Sequence, residues 1–411
     1  MYRKTANCNG DSRKKICWVS FLLLDRDLHK TSQIEILRKL AERGHATSLF
    51  GINTQEKYVS EANEVNIHSI PMRYVATITM FMYSILLFLY LPVYCLRSKQ
   101  DYIIVEPRDA TFLCATSLLA IPKPVRPKIV LDIRSVPVGG GFTETWLFNT
   151  AIKVSKKFFD GITIITPMMR QEICSKFKLN PQSIGVWTSG VSKKFFNPQK
   201  YDKDSLRKSL GIEDKFVVFY HGSMGPSYTF GRVRGVAGSI ESLKILRQRY
   251  PDVVLFMLGD KESYPWIDEL RQEYGVKEMV MFHDRVSHKE VPKYIASCDV
   301  ALVPLPDVQL WRNQCALKLL EYLAMEKVVI ATNIPANSYV LGEAKCGVYI
   351  SSASPKDVAQ AIAYVHDNRD KLPEWGATGR AIVDEKFSWD RVAISFEEYL
   401  LRLSTPLQLK A

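Results

Sequence analysis

The sequence predicts an α/β protein built on two parallel sheets, and three observations carry that reading. In residues 299–334 a short apolar run ends in prolines and a polar loop follows. Helix-spaced Ala316, Leu319, Leu320 and Leu323 come next, then a β-branched run. Strand, loop, helix, strand is the repeating unit of a parallel sheet. Short apolar runs of strand length also recur on both sides of a charge-rich stretch at residues 201–215. Finally, a chain of 411 residues is ample for two sizeable cores.

Taken in order, residues 1–14 are a polar tail without a core pattern. Residues 16–24 are the first strand. The basic residues before it give a signal-peptide look, but no small-residue cleavage site follows and the run meets Asp25-Arg26-Asp27. A buried strand accounts for it better. Residues 32–43 form an amphipathic helix with Ile34, Leu37, Leu40 and Ala41 inward, capped by Gly44. Further strands fall at 102–105, 129–131 and 162–165. Residues 201–215 lead into the second domain, whose strands are 216–220, 253–258, 279–282, 300–303 and 328–331.

Residues 74–96 carry no charge and are flanked by Arg73 and Arg97, which is long enough for a membrane span. Pro92 and the scattered hydroxyls argue against a simple crossing. So does the position between strands of one domain, because a crossing would split one sheet across the membrane. The segment reads as a buried or membrane-contacting helix, with partial insertion and a true span as alternatives.

A formal charge of +12 calls for an anionic partner or surface. Nucleic-acid motifs are missing and the basic residues are dispersed, so no nucleic acid is expected. An anionic membrane or a phosphorylated substrate remains, with Lys153, Lys156, Lys157, Lys193 and Lys194 as modest basic clusters. Eight cysteines stand singly, without CxxC or zinc-like spacing. Cys17, Cys95, Cys298 and Cys346 lie in or beside apolar runs and read as buried thiols of a reducing compartment.

Phosphate chemistry is expected in the loop after Tyr220. Gly222 and Gly225 allow close backbone approach, Arg232 and Arg234 bring forked cations, and a helix begins near Val236. The spacing fits neither a P-loop nor a dinucleotide fingerprint. Lys318 and Glu321 share a helical face near Tyr322. Glu321 is either a solvated partner of Lys318 or a carboxylate for the vicinal hydroxyls of a ribose. Asp25, Arg26, His29 and Lys30 follow the first strand; Asp132 and Arg134 follow another. Glycines 139–141 are a flap or a loose turn. Asp25-Arg26-Asp27 looks like a D-x-D metal site, but it stands too early in the chain for the architecture that uses one.

The core KLLEYLAMEK at 318–327 resembles the nucleotide-binding signature of glycosyltransferase family 4. Similar blocks follow in the family's order: AERGHA at 41–46, SGVSKKFFNP at 189–198, RVSHKEVPKYIASCDVALVP at 285–304 and FSWDRVA at 387–393. The resemblance implies a GT-B fold, two Rossmann-like domains with parallel sheets facing a cleft. Residues 1–200 would form an N-terminal, acceptor- and membrane-facing domain. Residues 201–386 would bind the nucleotide-sugar, and 387–411 would cross back as a helix. It implies retaining transfer from a nucleotide-diphosphate sugar, such as a UDP- or GDP-hexose, to a glycan, glycolipid or polyprenyl-linked acceptor.

By position in the motifs, Gly222, Gly225, Arg232, Arg234, Gly259, Asn313, Lys318, Leu319 and Glu321 would hold the donor. Arg234, Glu321 and Asp132 would be catalytic, and Asp25, His29, Lys30 and Arg134 would meet the acceptor. Glu321 matches the second glutamate of E-x7-E, the ribose binder; Asn313 stands at the first, as a sugar contact or a helix N-cap. The histidine many members carry near Asp132 is not evident. Glu326 and Val328 replace the usual Gly and Pro of the signature, which costs about 1 kcal/mol if the backbone there is left-handed. No cofactor and no essential metal are expected, and the location is cytoplasmic and peripherally membrane-associated. Readings from other classes are a non-catalytic GT-B subunit of a membrane glycan-assembly complex and a nucleotide-sugar epimerase.

Overall fold

The computed structural model describes residues 13–24, 30–53, 64–72, 76–107, 111–137, 141–224, 235–343 and 345–404. The chain divides into two compact units, Met1–Thr188 with Trp389–Ala411, and Ser189–Ser388. Unit 1 runs β1 (Lys15–Leu23), α1 (Lys30–Glu42), β2 (Ala46–Asn53), β3 (Asn66–Pro71), α2 (Ala76–Ser98), β4 (Tyr102–Val105) and α3 (Thr111–Thr116). It continues with β5 (Lys128–Ile133), α4 (Phe142–Phe158), β6 (Gly161–Ile164), α5 (Pro167–Phe177) and β7 (Ile184–Val186). Its seven strands are all parallel, in the order β3-β2-β1-β4-β5-β6-β7.

Unit 2 runs α6 (Lys203–Leu210), β8 (Phe216–His221), α7 (Val236–Leu246), β9 (Val253–Gly259), α8 (Tyr264–Glu273), β10 (Val280–Asp284) and α9 (Val291–Ala296). Then come β11 (Val300–Val303), α10 (Gln309–Arg312), α11 (Leu317–Ala324), β12 (Val328–Thr332), α12 (Pro335–Leu341), β13 (Gly347–Ile350), α13 (Pro355–Asp367) and α14 (Leu372–Ile382). Its sheet is parallel too, ordered β10-β9-β8-β11-β12-β13. The last helix, α15 (Trp389–Ser404), belongs to unit 1, where Trp389, Phe396 and Leu400 join the core that holds Trp18 and Leu37.

Both sheets are covered on two faces, which is why strands such as β11 are buried at every residue and read as unbroken apolar runs. Strand order reverses direction between β1 and β4 in unit 1 and between β8 and β11 in unit 2. Such reversals leave a crevice at the carboxyl ends of the strands.

The structure departs from the expectations at definite points. The division falls at Ser189 instead of residue 201, because Val191 and Phe196 pack into the unit 2 core and the Val191 N–H bonds Phe387 O at 2.9 Å. In α1 the buried positions are Gln33, Ile36, Leu37 and Leu40, so the inward face is rotated from the expected one. Asn313 does not cap α11, which starts four residues later. It ends the short α10, and the span from 313 to 321 is therefore not one helix. Helix α2 packs one face, with Thr79, Tyr83, Leu87, Leu91 and Cys95 buried at four-residue spacing. Phe81, Ile85 and Leu89 on its other face are 60–69% exposed. The seven described cysteines are buried and form no disulfide with one another, as read for four of them.

Glu326 has φ +56°, the left-handed backbone that its place after α11 suggested. A side chain there is strained, and glycine relieves it. Glu326→Gly is expected to raise stability by about 0.5–1 kcal/mol, read as a higher urea midpoint at unchanged slope. An unchanged or lower midpoint contradicts the strain.

Candidate functional site

The reversal point of the unit 2 sheet gathers the residues that matter. β8 ends at His221, and Gly222 follows with φ +116°, a conformation that side chains avoid. Gly222 N–H bonds Leu258 O at 3.0 Å, which ties this turn to Gly259 at the end of β9. Gly235, at φ +71°, opens α7. An added Cβ there would meet Pro304 O at 2.1 Å, so only glycine lets the helix start so close to the strand β11 exit.

Helix α11 supplies the charged groups. Its residues Leu319 to Ala324 are all buried, so Glu321 is not a solvated surface residue but a carboxylate only 7% exposed. Each of its oxygens is held by an imidazole: His221 Nε2 reaches Oε2 at 2.9 Å and His288 Nε2 reaches Oε1 at 2.9 Å. Burial pushes this carboxyl up, yet the bonds from His221 and His288, with their charges, outweigh it and bring it to about 2. Burial lowers His221 in turn, against the pull of Glu321.

Tyr322, fully buried, completes the junction. Its hydroxyl accepts the His221 backbone N–H at 3.1 Å and lies 2.9 Å from His221 Nδ1. Lys318 turns toward β8, with Nζ 3.9 Å from the centre of the Tyr220 ring and beside Gly222. Asn313 is buried at 5% exposure. Leu319, expected at the donor, is a core residue, 0% exposed, whose N–H is taken by Ala316 O at 3.0 Å, so it offers a ligand nothing. Gly225, Arg232 and Arg234 lie outside the described residues.

In unit 1, Asp132 at the end of β5 has no exposed surface. It accepts from Thr163 Oγ1 at 2.6 Å and Trp187 Nε1 at 2.8 Å, with Arg134 Nε 4.0 Å from its other oxygen. Arg134 stacks over Trp187, 3.6 Å from the ring centre, and donates to Trp187 O at 2.9 Å. Burial raises the Asp132 carboxyl more than Arg134, Thr163 and Trp187 lower it. A carboxylate enclosed in this way orients Arg134 and Trp187, and that geometry suits a positioning group better than the catalytic role the resemblance suggested. Asp25, His29 and the side chain of Lys30 lie outside the described residues, as do Gly139 and Gly140.

Sequence reasoning passed over Glu106, directly after β4 at the unit 1 reversal. It accepts from Trp18 Nε1 at 3.0 Å, Gln33 Nε2 at 2.7 Å and Ser20 Oγ at 3.3 Å. Burial raises its carboxyl; the bond from Gln33 opposes and the charge of Asp132 adds. The available signal was its place directly after a fully apolar strand. His221 and His288 were also missed as site residues, though His288 stands inside the 285–304 block and His221 opens the glycine-rich loop after Tyr220.

Asp132→Ala is expected to destabilise the protein by about 3 kcal/mol, since it leaves Trp187 Nε1 and Thr163 Oγ1 without their acceptor and removes the carboxylate 4.0 Å from the partly buried Arg134 guanidinium. Chemical denaturation measures this. Near-native stability with loss of turnover would restore the catalytic assignment.

Residues 202–382, nearly all of unit 2, match the family model described as "Glycosyl transferases group 1". The chain is 25% identical over 241 residues to a D-inositol 3-phosphate glycosyltransferase of Paenarthrobacter aurescens, covering 57% of this chain and 55% of that protein. It is 24% identical over 302 residues to a GDP-mannose-dependent alpha-(1-6)-phosphatidylinositol monomannoside mannosyltransferase of Mycobacterium tuberculosis, covering 71% and 75%. The chain thus spans about half the length of the first relative and three quarters of the second. Among solved structures, a glycosyltransferase from Rickettsia africae superposes with TM-score 0.74 at 16% identity over 96% of this chain and 99% of that one. Anabaena Alr3699/HepE in complex with UDP gives 0.74 at 13% identity over 95% and 100%. The fold is therefore the expected GT-B pair of Rossmann-like domains. The enzyme class read from the sequence, glycosyltransferase, is the class of the matched family and of these relatives.

Proposed function

We propose that this chain, whose second unit is a glycosyl transferases group 1 domain, moves a sugar from a nucleotide-diphosphate sugar to a lipid-linked or other glycan acceptor. The observation that carries the donor half is Glu321, a buried, ionised carboxylate at the reversal of a parallel sheet. It is suited to accept hydrogen bonds from two ribose hydroxyls. Lys318 and the Gly222 turn beside it supply a cation and open backbone for the diphosphate, and Arg234, by family position, would stabilise the departing charge. Among the relatives, one is named for GDP-mannose and one structure holds UDP. Transfer with retention and without an essential metal completes the reading. Proton NMR of the first-formed linkage tests the stereochemistry, and turnover in excess chelator tests the metal.

The acceptor half rests on unit 1. Residues 1–188 and 389–411 hold 28 Lys and Arg against 18 Asp and Glu, so this unit carries +10 of the +12. The same unit displays the uncharged outer face of α2, with Phe81, Met82, Ile85, Leu86, Leu89, Val93 and Leu96 exposed and Arg97 at its end. A contiguous apolar face beside positive charge suits an anionic bilayer surface, with the helix lying in the interface. Tyr83, Leu87 and Leu91 fix its other face to the sheet, which favours peripheral contact over a span. The mycobacterial relative is named for a phosphatidylinositol monomannoside, an acceptor of that kind. The location that follows is the cytoplasmic face of a membrane.

Two experiments test these halves. Melting of the protein with UDP, GDP, ADP or CMP is expected to rise with one nucleotide, and the rise is expected to vanish in Glu321→Ala. No shift with any of them removes the donor reading. Flotation with phosphatidylglycerol-containing vesicles is expected to recover the protein at low salt, and Ile85→Glu/Leu89→Glu is expected to weaken recovery about tenfold or more. Equal recovery of the double variant removes α2 from the membrane.

A further inference from the structure

We propose that His288 and His221 are positioning residues that aim the Glu321 carboxylate at the ribose hydroxyls of the donor, an inference that rests on the donor-site reading above. Three separate segments converge on this one carboxylate: the end of β8, the turn between β10 and α9, and helix α11. The hydrogen-bond wiring assigns the protons. The Tyr322 hydroxyl accepts the His221 backbone N–H at 3.1 Å, so its own hydrogen is directed at His221 Nδ1, 2.9 Å away. A neutral imidazole accepting at Nδ1 carries its proton on Nε2, and that N–H donates to Glu321 Oε2. His288 donates to Oε1 from Nε2, since an ionised carboxylate can only accept.

One imidazole on each oxygen leaves each oxygen with acceptor capacity for one more donor. Two vicinal hydroxyls present two donors at that spacing, so a carboxylate with both oxygens pinned is prepared for a diol before it arrives. The rings are themselves held. His221 lies parallel to Phe219 at 5.8 Å between ring centres and edge-on to Tyr322 at 5.1 Å, and His288 packs on Phe196 at 5.4 Å. His288 is the outer arm, with 45% of its side chain exposed, so it can be replaced without opening the core.

The test measures affinity of the full chain for the ribonucleotide that raises its melting temperature and for the 2′-deoxy form of that nucleotide. The wild type is expected to prefer the ribonucleotide by about tenfold or more, as loss of a hydroxyl facing a charged acceptor requires. In His288→Ala the preference is expected to shrink at least about threefold while binding of the 2′-deoxy form stays unchanged. His288→Gln, whose amide can still donate, is expected to recover part of the preference. Tyr322→Phe, which removes the hydroxyl that sets the His221 tautomer, is expected to reduce it as well. Equal weakening of both nucleotides in His288→Ala, or an unchanged preference, overturns the proposal. A wild type that binds the ribonucleotide without preferring it overturns the role of Glu321 itself, a separate failure.

Discussion

A carboxylate removed from water must be compensated, and much of unit 2 around its binding crevice is arranged to meet that demand at Glu321. The compensation comes from two imidazoles and not from a lysine or arginine clamped on the carboxylate. Two imidazole N–H groups divide the two oxygens, and the same residue pair, Glu321 and Tyr322, ties α11 to the end of β8 through His221. The link fixes a helix to a strand at the place where the parallel sheet reverses. That fixed geometry sets the crevice, because the Gly222 turn begins one residue after His221 and Lys318 lies one helical turn before Glu321.

Unit 1 is organised around a different constraint, a surface rather than a point. Helix α2 has to cover the sheet with one face, which it does through Tyr83, Leu87 and Leu91, and Tyr83 also donates to Ser20 O at 2.8 Å. Nothing in covering the sheet requires the other face to be apolar, and a solvated helix would carry charges there. The excess positive charge of the same unit gives that outer face a consistent physical context, since apolar contact and attraction to an anionic layer add in one direction.

The parallel sheets were legible because their strands are buried on both faces and leave unbroken apolar runs. β11 and β4 were read at their observed bounds for that reason. Strands that mix polar residues or are very short left no such run: β2, ATSLFGIN, β3, NIHSIP, and β7, IGV, were not anticipated. Glu321 was singled out by its motif, whereas its surroundings were not legible. Periodicity places Glu321 near Lys318 on one helical face, but its imidazole partners lie 100 and 33 residues away in sequence, which no local pattern can pair. The enclosure of Asp132 was hidden for the same reason. A residue after a strand looks available until Thr163 and Trp187, 31 and 55 residues distant, are seen to close over it.

The choice of histidine at both ends of the Glu321 harness has a physical logic. A lysine or arginine in either position would satisfy the buried charge more strongly, but it would also bind the carboxylate as a full ion pair in a low-dielectric setting. Incoming hydroxyls would then compete with a cation for the same oxygens. An imidazole N–H holds the direction of each oxygen while leaving that oxygen a lone pair for the next donor. The nearby cation, Lys318, is placed on the Tyr220 ring and beside the glycine turn. Positive charge therefore stands beside the glycine turn and apart from the carboxylate, the separation that the proposed donor reading requires for a diphosphate and a ribose.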